Sequence, residues 1–390
     1  MAGLDPAISA SAVRNGADDR VKPGHDILSD ENARVVLVEH CDMSEVAGPD
    51  FLLETRGVHR DLDAYVVGAA FDRAGRHAAF ALGDGSVRLV ALAERASWQE
   101  ISVHDGAALA LAPDCGPTGF VSGVDDGRFR RIGADGDLTD LAGYGSKWVE
   151  HVASHPADKG RGLLACAVGK QVHVLDGAGN ELKAPTHPSS VTGLAFDMKG
   201  KRIGASHYNG ASLWFVASKT DNPRKLEWKG SHTGIAIHPD GDAVVTSMQE
   251  NALHGWRLSD GQHMRMSGYA AKTRSLSFTR NGRWLATGGA DTVVLWPFFG
   301  GGPMGKAPTE LAGGDNVLCT MVACHPRYDA VAAGFNDGLV LLADIDSTRI
   351  LPVAAPGRGA ISALAWSFDG AHLAFGTESG FAALVDFSKR

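Results

Sequence analysis

The residues whose types could hold a metal ion are acidic residues that recur within short, glycine-containing segments. Such segments predict tight turns, and carboxylate oxygens are the ligands that Ca²⁺ prefers in proteins. If several of these side chains converged on one point, they could hold a divalent cation that activates water for hydrolysis. The alternative is that each carboxylate caps its own turn, which requires no convergence. The residues are Asp84, Asp125, Asp126, Asp291, Asp337 and Glu378.

Histidine is a second group of possible ligands, since the chain contains 16 of them. Three precede proline and stand at the same turn of different repeat units, so they are not expected to meet at one ion, and the proline predicts a turn role. They are His155, His238 and His325. Three more precede predicted first strands, and we expect them to pair with nearby turns rather than bind metal. They are His104, His187 and His232.

Cysteine use argues against a disulfide framework. The five cysteines, at positions 41, 115, 166, 319 and 324, form an odd and scattered set without a Cys-x-x-Cys motif. Cys319 and Cys324 stand five residues apart on a predicted strand, so their side chains point to opposite faces and suit a shared metal poorly. We therefore expect reduced cysteines that pack as small core residues of a cytoplasmic protein.

No motif predicts nucleophilic catalysis or a bound cofactor. The sequence contains no Gly-x-Ser-x-Gly motif, and no Ser-His-Asp set stands out. Gly300-Gly301-Gly302 with Lys306 lacks the strand–GxxxxGK[ST]–helix context of a phosphate loop, so we interpret it as a flexible connection. We therefore predict no cofactor and no catalytic residues.

A recurring three-strand element must position all of these residues. Its clearest copy, Thr273–Trp296, has three short apolar runs separated by Asn281-Gly282 and by a Gly-Gly-Ala-Asp turn. The pattern can be laid down eight times from Val66 onward. Its second turn recurs at positions 84, 126, 169, 209, 250, 291, 337 and 379. A period of about 40–45 residues with three strands per unit indicates propeller blades.

The sequence predicts an all-β fold, a single β-propeller of eight four-stranded blades over residues 49–390. Seven blades are less favoured, and the second and third units match the pattern most weakly. Segments between units, such as Ser97–Val103 and Leu226–Lys229, are expected to supply the outer strands. The last unit ends at Phe387 without an outer strand, so an N-terminal strand, Phe51–Thr55, is predicted to complete it and close the ring.

Residues 1–48 differ from the rest of the chain. The first 26 are rich in Ala, Asp, Gly and Pro and show no periodicity, which predicts disorder. One interpretation is a flexible tail with one helix or strand in Ala33–His40. The other is an extension added by an incorrect start-site assignment, with Met43 as the natural start.

From about residue 50 to 390 the chain resembles the WD40-repeat family. The resemblance is carried by Ala195-Phe196 with Gly200, by the segment Leu285–Asp291, and by Val294–Trp296. The Trp-Asp pair that names the family is absent, because the residues that follow the three unit-ending tryptophans are Phe, Arg and Pro. Those tryptophans are Trp214, Trp256 and Trp296.

The family's buried His–Ser/Thr–Asp–Trp set is also incomplete here. The fifth unit offers His232, Ser247 and Trp256, with Glu250 or Asn251 near the Asp position. The sixth offers a Thr, an Asp and a Trp, with Lys272 or Thr273 where a His would stand. These three are Thr287, Asp291 and Trp296.

The resemblance implies a non-catalytic scaffold that binds a protein or peptide through loops on one face of the propeller. Residues flanking the predicted inner strands supply aromatic and charged groups typical of binding hot spots. They are Lys147, Trp148, Glu150, Tyr208, Arg274, Phe335, Arg358 and Phe381. For Trp148 and Phe335, packing between blades is the alternative role. The alternative function is a metal-dependent propeller hydrolase or lactonase with a divalent cation at the channel mouth.

Composition narrows the partners further. The net charge is −8, which argues against broad binding to nucleic acid or anionic membranes. No apolar run approaches the roughly 18–20 residues that a membrane-spanning helix needs, and the N-terminus has no apolar signal segment. We therefore expect a cytoplasmic, monomeric protein.

Overall fold

Antiparallel strands of three to six residues, with two longer ones, build the part of the chain that the computed structural model describes, residues 51–156, 162–220 and 222–388. A short helix, α1 (Leu52–Arg56), and a strand, β1 (Gly57–Asp61), come first. The expectations for residues 1–48, including Cys41 and Met43, lie outside the described residues.

Each of the first three repeat units forms one four-stranded sheet. The first has β2 (Val66–Phe71), β3 (His77–Leu82), β4 (Ser86–Ala91) and β5 (Trp98–Ser102), with a 3₁₀ turn at Leu92–Glu94. The second has β6 (Ala108–Pro113), β7 (Phe120–Val124), β8 (Arg128–Ile132) and β9 (Leu138–Gly143). The third has β10 (His151–His155), β11 (Leu163–Val168), β12 (Gln171–Asp176) and β13 (Glu181–Lys183).

The fourth and fifth units share one six-stranded sheet. Its strands are β14 (Gly193–Phe196), β15 (Arg202–Phe215), β16 (Arg224–Ile237), β17 (Ala243–Met248), β18 (Ala252–Arg257) and β19 (His263–Ser267). β15 contains the second and third strands of the fourth unit, bent at Asn209-Gly210, where both φ angles are positive. β16 pairs with β15 in its first half and with β17 in its second. It is therefore the outer strand of the fourth unit and the inner strand of the fifth.

The last three units again form four-stranded sheets. The sixth has β20 (Leu276–Phe278), β21 (Trp284–Thr287), β22 (Thr292–Pro297) and β23 (Thr309–Gly313). The seventh has β24 (Cys319–Cys324), β25 (Ala330–Phe335), β26 (Val340–Asp344) and β27 (Ile350–Ala354). The eighth has β28 (Ile361–Trp366), β29 (His372–Thr377) and β30 (Phe381–Asp386), completed by β1.

The all-β propeller is confirmed, but the prediction of eight separate blades is wrong. Counted as continuous sheets, the described residues form seven blades, the number that the sequence favoured less. The physical reason is the unbroken strand β16, which removes the boundary between the fourth and fifth units. Each of the eight repeat units nevertheless supplies an inner strand, and each inner strand contacts the next in a closed ring from β2 back to β28.

Ring closure by an N-terminal strand is also confirmed, although a different segment does it. β1 pairs antiparallel with β30 from Gly57 opposite Val385 to Asp61 opposite Phe381. The predicted donor, Phe51–Thr55, is instead largely helical in α1, and this placement was wrong. The helix turns Leu53 into the core of the last unit, where only 1% of the side chain is exposed. A five-residue segment that is mostly apolar can form either a short helix or a strand. Here the strand that follows it, β1, pairs with β30, and Phe51–Thr55 is left to form the helix.

The three His-Pro turns connect neighbouring units, which confirms the predicted turn role. In each, the imidazole Nε2 lies close to a backbone carbonyl in the first turn of the next unit. The distances are 3.2 Å for His155 to Met198, 2.9 Å for His238 to Gly282, and 3.2 Å for His325 to Gly370. Since Nδ1 of His238 accepts the Asp240 N–H, its Nε2 carries the proton and donates.

Replacing Gly282 by alanine is expected to destabilise the protein more than the same change at Gly261. Both residues have positive φ, +70° and +76°, so both variants carry the left-handed strain of about 1–2 kcal/mol. At Gly282 a Cβ would also stand 2.5 Å from Nε2 of His238, whereas nothing lies within 4 Å at Gly261. The displaced histidine should add about 1–3 kcal/mol for its lost hydrogen bond. Urea unfolding measures both, and equal losses would contradict the contact.

Candidate interaction surface

The two ends of the ring carry different loops. Because neighbouring strands are antiparallel, the segment before each inner strand and the turn between the second and third strands open at one end, named here the upper end. The His-Pro turns, between the first and second strands, open at the lower end. All eight predicted partner-binding residues stand in or beside upper-end loops.

Four of the eight are exposed at the upper end. Lys147 and Trp148 precede β10, and 57% of the Trp148 side chain is exposed. Tyr208, also 57% exposed, lies in the bend of β15, where its N–H donates to Ser189 Oγ at 2.8 Å. Arg274 precedes β20 and is exposed, while Glu150 is half-buried. Trp148 therefore does not pack between blades.

Two predicted contact residues lie behind the surface instead. Phe335 is fully buried in the core between the sixth and seventh units, and Phe381 is buried in the last unit. Arg358 is half-buried, with its guanidinium 4.7 Å from the Phe381 ring and 3.0 Å from Glu54 Oε1. Glu54, Arg358 and Phe381 thus lie together and hold α1 against the ring. Arg358 and Phe381 therefore support the upper end rather than present a free surface.

Tyr65 is an upper-end aromatic that the sequence reasoning missed. Tyr65 immediately precedes β2, and Trp148 stands at the equivalent place before the inner-strand segment of the third unit. Aligning the units on their inner strands therefore reveals Tyr65. Its side chain is exposed. Partial burial and then the Glu378 carboxylate raise the pKa of its hydroxyl, and the Arg274 guanidinium opposes them. Arg274 therefore acts on a residue three units farther around the ring.

The second residue of several inner strands joins neighbouring units through a hydroxyl. Thr320 Oγ1 donates to Ile361 O at 2.7 Å, and Ser362 Oγ donates to Val66 O at 2.6 Å across the ring closure. Arg274 occupies the equivalent position of the sixth repeat unit, two residues before β20. There the corresponding carbonyl, Cys319 O, accepts from Gly289 N–H at 2.8 Å. The position is thereby freed for a long, exposed, charged side chain.

A Ser-His-Asp set does exist, in the second unit, which corrects the sequence analysis. His104 Nε2 lies 3.2 Å from Ser122 Oγ, and its Nδ1 lies 3.5 Å from Asp126 Oδ2. The three residues are 18 and 4 positions apart and form no motif that the sequence shows. Ser122 is 0% exposed, so its hydroxyl has no access to a substrate. The set joins the loop before β6, the strand β7 and the turn after it, as expected for a buried polar network.

Two other units contain buried networks that differ from those expected. In the fifth, His232 Nδ1 lies 2.7 Å from Thr246 Oγ1 rather than bonding Ser247, and Trp256 Nε1 donates to a backbone carbonyl. In the sixth, Tyr269 takes the place expected for Lys272 or Thr273. Its hydroxyl lies 2.6 Å from Trp296 Nε1 and 2.7 Å from Thr287 Oγ1. Tyr269 lies outside the three-strand pattern, so spacing alone did not reveal it.

The acidic turn residues act within their own turns. Asp84 Oδ1 accepts from Ser86 N–H, Asp126 Oδ1 from Arg128 N–H, and Asp337 Oδ1 from Leu339 N–H, at 2.8–2.9 Å. Among the described residues, no group of three or more His, Cys, Asp or Glu side chains is arranged to hold a metal ion. The turn-capping interpretation is confirmed for these three residues, and the proposed cation site at the channel mouth is not favoured.

The Gly300–Gly302 connection presents carbonyls rather than amides. Lys306 Nζ donates to the carbonyl oxygens of Phe299, Gly300 and Gly302, with the last at 3.0 Å. A phosphate cradle needs converging N–H groups, so this geometry suits a cation and not a phosphate.

The four described cysteines are unpaired. Burial raises the pKa of the Cys166, Cys319 and Cys324 thiols to about 12, so they are unreactive core residues. Within the described part of the chain, no helix is long and apolar enough to cross a membrane.

One repeat of this chain matches the model of a known family. The model of the family described as "WD domain, G-beta repeat" matches residues 262–296, a range that includes both Tyr269 and Trp296. The computationally designed Ika8 protein has a similar structure, with a TM-score of 0.67 and 18% identity over 84% of this chain and 98% of that one. At this identity the similarity concerns the fold alone.

The curated relatives that this chain matches are much longer proteins. Telomerase protein component 1 of Rattus norvegicus is 23% identical over 342 residues, 84% of this chain and 12% of the relative. The same component of Mus musculus is 26% identical over 46% of this chain and 7% of the relative. Pre-mRNA-processing factor 19 homolog 2 of Arabidopsis thaliana is 26% identical over 35% of this chain and 24% of the relative. The chain thus spans only a small part of each.

Proposed function

We propose that this WD40-repeat β-propeller is a non-catalytic scaffold that binds a protein or peptide partner at its upper end. The observation that supports the proposal most is the exposure of Trp148 and Tyr208 on neighbouring units. Large aromatic side chains normally lose most of their exposed area on folding, and they are enriched where partners bind. Lys147 and Arg274 add charged groups at the same end.

The ring provides the rigidity that such a surface needs. Hydroxyl bridges at the inner strands and histidine bridges at the lower end fix several units against their neighbours. Loops held in this way lose little conformational freedom on binding, which favours affinity.

A metal-dependent hydrolase is the weaker candidate. It would need carboxylates from several units at one point, whereas three of the expected carboxylates are engaged in their own turns. We further infer a reducing compartment, as in the cytoplasm, because the described cysteines are unpaired although three lie deep in the core.

The Trp148→Ala, Arg274→Ala double variant is expected to lose its partner while remaining folded. A hot-spot residue contributes about 2 kcal/mol or more, so the loss of two should lower the affinity by more than the about 30-fold that the loss of one causes. Both side chains are exposed, so the melting temperature should hardly change. The measurement is capture of a stoichiometric partner by the immobilised full chain, followed by titration with that purified partner.

Tyr328→Ala is the matched control, because Tyr328 is 68% exposed in a lower-end turn. It should keep full affinity. Loss of binding in the control with retention in the double variant would place the interaction at the lower end and contradict the proposal.

A further inference from the structure

Two histidine rings face each other across neighbouring strands of the fifth unit. His254 on β18 and His263 on β19 bring Nε2 and Nδ1, respectively, to within 2.9 Å. In the strand register, His263 lies opposite Trp256 and His254 lies opposite Arg265. The two imidazoles are therefore diagonal neighbours on one face of the sheet.

One ring of the pair is fixed and the other is accessible. His254 is 0% exposed; Trp228 stacks on it with ring centroids 4.0 Å apart, and Trp256 meets it edge-on at 4.8 Å. His263 is exposed, with its ring 5.4 Å from that of Trp228. An ion could thus approach from solvent on the His263 side and meet an immobilised nitrogen behind it.

The two nitrogens of His254 have different surroundings. Its Nδ1 is buried without a hydrogen-bond partner, whereas its Nε2 faces His263 Nδ1. A metal ion binds the lone pair of a neutral imidazole, so Nε2 is the nitrogen of His254 that an ion between the two rings would meet.

We propose that His254 Nε2 and His263 Nδ1 form a two-histidine site for a late transition-metal ion, Cu²⁺ or Zn²⁺. Imidazole is a preferred ligand of both ions. Two nitrogens bound at about 2.0–2.1 Å to a tetrahedral ion lie about 3.3 Å apart. The two nitrogens must therefore separate by about 0.4 Å, and the exposed His263 ring must turn so that both lone pairs point at the ion. Water completes the coordination.

Two neighbouring groups act on such an ion in opposite directions. The Arg265 guanidinium repels it, which limits affinity. The face of Trp228, stacked on His254, attracts a cation through its π system. Ion binding replaces the hydrogen bond between the imidazoles, so the proton shared by the pair moves to the free nitrogen or to solvent.

Titration of the tag-free full chain with Cu²⁺ and, separately, Zn²⁺ tests the site. We expect one metal ion bound per chain at saturation, with higher affinity for Cu²⁺ than for Zn²⁺. Cu²⁺ should quench the fluorescence of Trp228. Its electron paramagnetic resonance spectrum should show nitrogen hyperfine splitting from two imidazoles. His263→Ala should weaken binding by more than the about 10–100-fold that loss of an outer-shell partner causes.

His59→Ala is the matched control, because His59 is exposed on β1, far along the chain, and its variant should bind as the unaltered protein does. Trp228→Phe should keep the bound equivalent and lose part of the quenching, because Trp256 also lies beside His254. Absence of a saturable equivalent, or equal affinity in the His263→Ala and His59→Ala variants, would show that the pair is only a buried hydrogen bond. His263 is an exposed residue, so its variant should fold.

Discussion

A chain that begins at Leu62 is expected to lose the native propeller, whereas one that begins at Gly48 is expected to keep it. The shorter chain lacks β1, so β30 would present an open edge. It also lacks Phe51, which is buried between the sixth and seventh units, and Leu53, which is buried between the seventh and eighth. Emptying a large apolar site costs about 2–5 kcal/mol. Two such sites account for much of the about 5–15 kcal/mol that stabilises a typical domain.

Circular dichroism and size-exclusion chromatography of the two chains measure this difference. The Gly48 chain also tests the predicted domain boundary, since it keeps only the last residue of the N-terminal extension, residues 1–48. If the Leu62 chain cannot be isolated, Leu53→Ala in the full chain gives the same information, with the half-buried Leu52→Ala as its control. A Leu62 chain with an unchanged unfolding transition would contradict closure by this segment.

The protein is expected to lose stability steeply as the pH falls from about 6.5 toward 4. Burial lowers the pKa of His104 and of His187 to about 4, below the ordinary value of 6.5. Between those values the unfolded chain binds more protons than the folded one, so acid favours unfolding. Each histidine contributes up to about 1.4 kcal/mol per pH unit, and the two together about 2.7.

The structure gives the physical cause at His187. Its Nε2 accepts the Trp214 indole N–H at 3.0 Å, and its Nδ1 lies 3.2 Å from Lys170 O. Protonation of Nε2 would remove the acceptor that the buried indole needs. Burial also lowers the pKa values of His151, His254 and His325, which should steepen the loss in the same range below about pH 6.5.

Urea unfolding at pH 7.5, 6.0 and 5.0 measures the slope. His187→Gln should reduce the slope of the free energy of unfolding against pH by up to the contribution of one proton per molecule. This holds whatever stability the substitution costs at neutral pH. Stability that is constant from pH 7 to pH 5 would mean that these imidazoles are solvated. Since the lowered carboxylate pKa of Asp84 or Asp369 matters only below about pH 4, the histidines dominate the window above it.

The sequence by itself determined the repeating unit. Apolar runs separated by turn residues fix where strands start and stop, because the backbone at Asn281-Gly282 or a His-Pro turn has few alternatives. The need for a closing strand also followed, since an open sheet edge in the last unit is costly. These are local rules, and they predicted inner strands that the structure contains in all eight units.

The tertiary structure alone decided which distant residues meet. Spacing did not show that Tyr269 joins Trp296 to Thr287, that His104 meets Ser122 and Asp126, or that His254 faces His263. Nor did it show that Phe335 is buried while Trp148 is exposed, although both flank inner strands. The reason is that side-chain contacts depend on strand register and on the packing of neighbouring units, and a shift of one residue reverses every side chain.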